Sequence, residues 1–362
     1  MSRRATLTQV AEELGVSVGT VSNAYNRPDQ LSAALRERVL ETARRMGYPG
    51  PDPLARGLRR RRAGAIGVLY EDRLSHAFAD PAEVLFLQGL SVATEEVGLG
   101  LLLLSGAPGE ERDPAVISGA VVDGFVVYSM AEEDPLVGAA LGRRLPVVVA
   151  DQPRREGVPY VGIDDEGAAR AVAEHLVGLG HRRLGIVTFA LSPRLVDGIA
   201  GLERQRDAAY PVSRDRLRGF AAAVEATGLD WADVPVYECA GNAPERGREA
   251  AEALLSREPR PSAILAFSDQ LAFGVMEAAR SMNLSVPGDL SITGFDDVPE
   301  AARSVPPLTT VYQPHVEKGL SAGRMLLAQL RGEGHPVSEI LPTRLTLRSS
   351  TAPSKKPARR PR

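Results

Sequence analysis

The stretch TLTQVAEELGVSVGTVSNAYN, residues 6–26, decides how the rest of the chain is read. Leu7, Val10, Ala11 and Leu14 recur three and four apart and share one helical face; Val18, Val21 and Ala24 repeat the spacing. Ala11 is small enough for two helices to cross closely, Gly15 tolerates the positive φ of a tight turn, and Ser17 can cap the second helix. These spacings predict a helix-turn-helix. Its second helix, Ser17 to Asn26, would face base edges with its N-terminal side chains. Val18, Gly19 and Asn23 are the candidate base readers: valine can touch a thymine methyl, asparagine can pair bidentately with adenine, and glycine permits close approach. Thr6, Thr20, Ser22 and Tyr25 suit phosphate contact or packing. A third helix is expected in SAALRERVLETARRMGY, capped by Ser32, with Leu35, Val39, Leu40, Ala43 and Met46 as its apolar stripe.

Charge is distributed to match. The chain has 362 residues and a formal net charge of −3. Residues 1–62 hold 12 basic and 6 acidic groups, residues 63–350 hold 26 and 40, and the last twelve hold 5 and none. A basic head on an acidic body points to a polyanion partner at that end. The longest uncharged stretch, Val97–Gly109, is too short to span a bilayer, so no membrane partner is expected. MSRRATLTQV has no apolar run after its arginines, and Cys239 is the one cysteine, which excludes an intrachain disulfide and a multi-cysteine zinc site. A cytoplasmic location is expected, on the nucleoid when bound to DNA.

After Gly64 the texture changes. Near-continuous apolar runs (IGVLY at 66, GLLLLS at 100, GFVVYSM at 124, PVVVADQ at 146, YVGID at 160, LGIVTF at 184, VPVYEC at 234, SAILAFS at 262, SITGFDD at 291) alternate with helical patterns over 83–97, 166–178, 215–227, 245–257 and 269–282. Such runs fit parallel strands covered on both faces. The repeat predicts an α/β fold of doubly wound parallel sheets in two lobes, behind an all-α headpiece. The expected organisation is a headpiece at 1–48, a linker and hinge helix at 49–62, a core at 63–350 and a disordered basic tail at 351–362.

The chain resembles the LacI/GalR family of transcriptional regulators. The resemblance rests on the 6–26 stretch, on GYPGPDPLARGL, LVGLGHRRLGIVT and RLRGF, then on AFSDQLAFGVMEAARSMNLSVPGDLSITGFDD and PPLTTVYQP, in that order. It implies a two-lobed core like that of periplasmic binding proteins, crossed near 162, 294 and 325. The first lobe would then be 63–162 plus 295–325, and the second 163–294 plus 326–350. It further implies a homodimer on near-palindromic operator DNA, most simply a repressor. A small effector, sugar-like or nucleobase-like, would bind between the lobes.

The resemblance makes Leu58 the residue wedged into the minor groove, with Arg59 beside it on phosphate. Asp52 followed by Pro53 is itself a helix-start signature, and so short a helix is marginal alone. Phe78, Arg216, Asn242 and Asp269 match effector-contacting positions, while Tyr128 and Asp151 end their strands where ligands sit in such sheets. Asp296 is expected near a crossover, serving the hinge. One departure is LSPRLVDGIAGLERQRDAAYPVSRD, which replaces a short loop of the family at the cleft mouth.

An enzyme is not expected. No P-loop lysine, dinucleotide fingerprint, nucleophile elbow or metal-spaced histidines occur, so no catalytic residue, cofactor or metal is assigned.

Overall fold

Thr6 starts the first helix with a reciprocal cap: its hydroxyl accepts from Gln9 N–H while the Gln9 side chain accepts from Thr6 N–H. The computed structural model describes residues 5–50, 62–106, 112–333 and 337–355, and the chain divides into two units at Gly64. In the first unit, α1 (Leu7–Leu14) ends on Gly15, whose φ of 63° is the left-handed turn that glycine adopts freely. Ser17 caps α2 (Val18–Asn26), accepting from Thr20 N–H at 3.0 Å, and Ser32 caps α3 (Ala33–Arg45). Val10, Ala11, Val21, Ala24, Val39 and Ala43 form the buried centre, one apolar face from each helix.

The second unit carries two parallel sheets. The first has the order β12-β5-β4-β3-β1-β2, built from β1 (Ala65–Tyr70), β2 (Gly100–Ser105), β3 (Gly124–Tyr128), β4 (Val147–Ala150), β5 (Tyr160–Ile163) and β12 (Ser338–Leu341). The second has the order β13-β11-β10-β9-β6-β8-β7. Its members are β6 (Leu184–Thr188), β7 (Gly198–Ile199), β8 (Val236–Glu238), β9 (Ala263–Ala266), β10 (Ser291–Asp296), β11 (Thr309–Tyr312) and β13 (Arg344–Thr346). Among the described residues only β7 and β13 run antiparallel to their neighbours. The inner strands are buried along their whole length, as strands covered on both faces must be.

Helices α4 (Leu74–Ala77), α5 (Pro81–Glu95), α6 (Ala115–Gly119) and α7 (Pro135–Gly142) belong to the first lobe. The second lobe has α8 (Asp165–Gly178), α9 (Leu202–Arg206), α10 (Pro211–Glu225), α11 (Pro244–Leu255) and α12 (Asp269–Ser281). The last helix, α13 (His315–Leu330), returns to the first lobe and packs on α5.

The first crossover falls at 164, near the expected 162, but the other two fall at 313–314 and 342–343 rather than near 294 and 325. The run LTTVY is a strand that pairs in parallel with β10, so the chain stays in the second sheet until Gln313. Residues 295–312 therefore belong to the second lobe, and β12 to the first. The tail also needs correcting: Thr351–Lys355 is held on the second lobe, with Ser354 N–H on Leu179 O at 2.9 Å and His181 Nε2 3.0 Å from Ala352 O. Leu58, Arg59 and the expected hinge helix lie outside the described residues, as does the tail beyond Lys355.

Where α5 crosses α13, Gly89 faces the backbone of Val316 and Gly319 that of Phe86; a Cβ at either position would overlap a carbonyl oxygen. Gly319→Ala is therefore expected to lower stability by about 1–3 kcal/mol, as overpacking does. Gly178→Ala, whose Cβ would meet nothing within 4 Å, should be neutral or stabilising. Urea midpoints compare the two, and equal shifts would refute close packing at this crossing.

Candidate functional site

In the headpiece, Ser17, Val18 and Gly19 stand exposed at the start of α2, while Thr20, Ser22, Asn23 and Asn26 are half-buried. Val18 leaves 46% of its surface in solvent, an apolar side chain with no core to join. A Cβ on Gly19 would meet only Ser17 Oγ, at 3.5 Å, so the headpiece itself does not require glycine there. Asn23 reaches Gln30 Oε1 at 3.2 Å through its amide. Asn26 bonds back to Ser22 O at 3.0 Å and Tyr25 meets Tyr48 edge-on, so these two serve the headpiece's own structure. Thr6 is occupied as a cap.

In the core, the carboxyl ends of both sheets face each other across a chamber of about 90 Å³. Four of the six residues expected there line it: Tyr128, Asp151, Arg216 and Asn242. Two do not. Phe78 is 59% exposed and borders a surface depression with Val84, Leu87, Leu101 and Leu103, because α4 turns its ring outward. Asp269 is fully buried, and its carboxylate accepts from Val298 N–H at 2.9 Å and from the Thr310 hydroxyl at 2.5 Å. Asp269 is thus the first residue inside α12, turned into the second lobe. The cap before it, Ser268, lines the chamber and donates to Asn242 Oδ1 at 2.5 Å.

Polar groups around the chamber form a nearly closed set. Arg216 bonds Asp165 at 2.8 Å and Phe267 O at 2.5 Å, with its guanidinium 3.7 Å from the Phe295 ring centroid. Lys318, fully buried on α13, lies 2.6 Å from Asp151 and 3.1 Å from Gln313 Oε1. Gln313 in turn donates to Asp296 Oδ1 at 2.7 Å. Asp296 therefore both lines the chamber and joins the crossover.

Burial, then the nearby Asp296, lifts the Asp80 carboxyl to about 6. Burial, then Asp80, lifts Glu83 to about 8. Burial also lifts Asp165 to about 6 against the opposing pull of Arg216. Sequence reasoning missed Asp80, Glu83, Ser268, Gln313, His315 and Lys318. Lys318 carried a signal, as one of three lysines among 43 basic residues and inside a helical apolar stripe.

Among the described residues, three bonds close the lobes on one another: Asn242 to Asp80 at 2.8 Å, Tyr210 to Glu71 at 2.9 Å, and Val212 N–H to Gln152 at 2.9 Å. Tyr210 belongs to the long insertion, whose last five residues are the start of α10. The insertion adds β7 to the edge of β8, and Arg204 on α9 grips the fully buried Glu238 at 2.6 and 2.8 Å. A second chamber of about 560 Å³, with Arg154, Tyr160 and Arg214 on its walls, shares Asp151 and Val212 with the first. Among the described residues no cluster of potential ligands could hold a metal ion, and no helix is long and apolar enough to cross a membrane.

Comparisons with known proteins agree with both halves. Residues 6–50 match the model of bacterial regulatory proteins, lacI family, and residues 173–351 match a periplasmic binding protein-like domain. An HTH-type transcriptional regulator of Mycobacterium tuberculosis is 47% identical over 353 residues, covering 97% of each chain. A LacI family transcriptional regulator from Corynebacterium glutamicum has a TM-score of 0.75 at 38% identity, covering 98% of this chain and 100% of that one. The complex of the regulator CelR with cellobiose has a TM-score of 0.68 at 30% identity, covering 96% and 100%.

Asn23→Ala should relax preference at one base pair per half-site, costing about 1–3 kcal/mol; an unchanged profile over a randomised duplex library would rule out base reading. Asp80 and Glu83 hold protons more tightly folded than unfolded, so they favour the folded state at low pH, and that contribution fades as pH rises through about 6 and then 8. Melting temperature should fall between pH 5 and 8.5, and Glu83→Gln should flatten the upper part of that fall. A slope unchanged in the variant would show that Glu83 is not the titrating group.

Proposed function

The chain belongs to the LacI family of bacterial regulatory proteins, and on that premise we propose that it is a repressor that binds a near-palindromic operator as a dimer and is controlled by a small, neutral, sugar-like effector held between the lobes. Its curated relatives are transcriptional regulators, not enzymes. The observation that carries the effector class is the polar set of the inner chamber. Asp80, Asp151 and Asp296 supply acceptor oxygens and Glu83 a carboxyl that burial holds protonated up to about 8, while the cations beside them, Arg216 and Lys318, are already paired with Asp165 and Asp151. Hydroxyl groups donate to such oxygens, whereas a carboxylate or phosphate would meet like charge. The rings on the chamber wall, Tyr128 and Phe189, are already packed against Phe86 and Phe267. That favours the sugar-like class over the nucleobase-like one. CelR, a relative with the same fold, is named in complex with cellobiose.

Dimer formation is supported by an apolar depression on each lobe. One is lined by Phe78, Val84, Leu87, Leu101 and Leu103, the other by Phe273, Met276, Val305 and Pro306, with Val305 92% exposed. Patches of this kind commonly mark contact surfaces. Two headpieces held by such a dimer would meet successive major-groove segments, and a protein seated there blocks the promoter it covers. In this reading Ser17, Val18, Gly19, Thr20, Ser22 and Asn23 face the operator, Leu58 wedges its centre, Arg59 meets phosphate, and the protein works in the cytoplasm on nucleoid DNA.

Effector closure of the lobes would change operator affinity through a coupling of about 1–3 kcal/mol. A thermal-shift panel of neutral sugars, nucleosides and sugar phosphates, read beside operator release by fluorescence anisotropy, tests the reading. A neutral sugar should shift both readouts and its phosphate ester neither. A sugar phosphate or nucleoside acting more strongly would overturn the assigned class.

A further inference from the structure

The long insertion is fixed on the second lobe along most of its length. Leu191 N–H donates to the buried Glu238 at 2.8 Å, and Arg204 pairs with the same carboxylate at 2.6 Å. Gln205 donates to Ala200 O at 2.7 Å and accepts from the Trp231 indole at 2.9 Å, and Ala209 N–H returns to Leu191 O at 2.8 Å. The strip that follows reaches the first lobe instead. The Tyr210 hydroxyl donates to Glu71 Oε1 and Val212 N–H to Gln152 Oε1, each at 2.9 Å.

The landing points of the strip are ordered by the first sheet. Glu71 directly follows β1, and Gln152 lies just beyond β4. Between those strands runs β3, and Ala131, just past its end, gives its N–H to Glu71 Oε2 at 3.0 Å. Tyr210 and Val212 thus lie across the carboxyl ends of neighbouring strands, where open α/β sheets take their ligands. Both are buried, and Glu71 is itself held by Arg112, which also pairs with Asp134. Burial and the Glu71 carboxylate push the Tyr210 hydroxyl up, so it keeps its proton and remains a donor. A hydroxyl donating to a carboxylate is also the contact a sugar would make there.

The inner chamber left beside this strip is about 90 Å³, room for about three waters at roughly 30 Å³ each, whereas small-molecule pockets run to about 300–1,000 Å³. The chamber of about 560 Å³ meets it at Asp151 and Val212, which line both. A hydrogen bond is lost once its heavy atoms stand about 3.6 Å apart, so the lobes cannot widen the inner chamber to hold a sugar while both contacts stand.

We propose that Tyr210–Val212 is an autoinhibitory latch: the insertion holds the lobes closed without ligand, and the effector enters only after Tyr210 leaves Glu71 and Val212 leaves Gln152. The lobes then close again on a wider chamber. The proposal rests on the inner chamber being the effector site. It makes the apparent affinity for the effector depend on the unlatched fraction as well as on the effector's own contacts, because only unlatched molecules bind.

The test uses the full-length chain with Tyr210→Phe, which keeps the ring and removes the donor, and with Arg206→Ala, an exposed insertion residue paired with Asp207, as control. Val212 is the second residue of α10, so its N–H has no carbonyl of its own helix to bond, and its protection from hydrogen exchange reports the contact with Gln152. Without ligand, exchange at Val212 should quicken about tenfold in Tyr210→Phe, the size of a lost bond to a charged acceptor, and stay unchanged in Arg206→Ala. With D-ribose, D-glucose and cellobiose as probes, the active sugar should reach its half-maximal thermal shift at about threefold to tenfold lower concentration in Tyr210→Phe. Unchanged exchange at Val212 would overturn the latch whether or not a sugar binds. An unchanged or higher half-maximal concentration would also overturn it, since Tyr210 would then not compete with the effector. Should no sugar shift either protein while exchange at Val212 quickens, the sugar-like reading fails and the latch stands.

Discussion

An ammonium group with no exposed surface holds the cleft together. Lys318 Nζ lies 2.6 Å from the Asp151 carboxylate and 3.1 Å from Gln313 Oε1. Taking two charges out of water costs more than their attraction returns unless the geometry is good and the remaining hydrogen-bonding capacity is used. Here it is used in sequence: Asp151 after β4, Lys318 on α13, Gln313 at a crossover, Asp296 at the end of β10. The chain of contacts runs from one lobe to the other, so loss of any member would leave a buried group uncompensated. It also explains a lysine in a protein whose cations are nearly all arginine. A compact point charge on a flexible stem fits between two oxygens where a planar guanidinium needs a wider fork.

The remaining bonds between the lobes are polar and few. Asn242 to Asp80, Tyr210 to Glu71 and Val212 to Gln152 each exchange a protein–water bond for a protein–protein one, which nets about 0.5–1.5 kcal/mol. An interface of that kind is shifted by a ligand that prefers one lobe arrangement by a few kcal/mol. The insertion before α10 contributes to the same balance. Arg204 and Glu238 anchor it to the second sheet, and Tyr210 carries it across to the first lobe, so a segment that reads as a mere loop becomes one of the closing contacts.

How much was legible depended on whether the signal was local. The headpiece was readable residue by residue, because Gly15 must take a positive φ, Ser17 must cap, and the apolar faces must meet. The nine strands read as apolar runs are all present. What local reading misjudged was direction and sheet membership. Ser268 and Asp269 are adjacent and both polar; only the helix start decides that Ser268 faces the chamber and Asp269 the interior of its lobe. Phe78 looked like a ligand platform until the turn of α4 pointed it outward. LTTVY looked like a landmark rather than a strand, which displaced two of the three crossovers.

By itself, the sequence determined the class of protein: a basic helix-turn-helix reader on an acidic α/β sensor. Periodicity, capping and charge are properties of neighbouring residues and survive without a structure. Only the tertiary structure decided which polar groups converge. Asp80 and Glu83, Asp151, Arg216, Asn242, Asp296 and His315 come from six separate places in the chain and meet because parallel strands end together and three crossovers bring two sheets face to face. Whether a buried group is paired or left open, as Asp269 is paired and His315 is open, follows from distances between elements far apart in sequence, which no local pattern encodes.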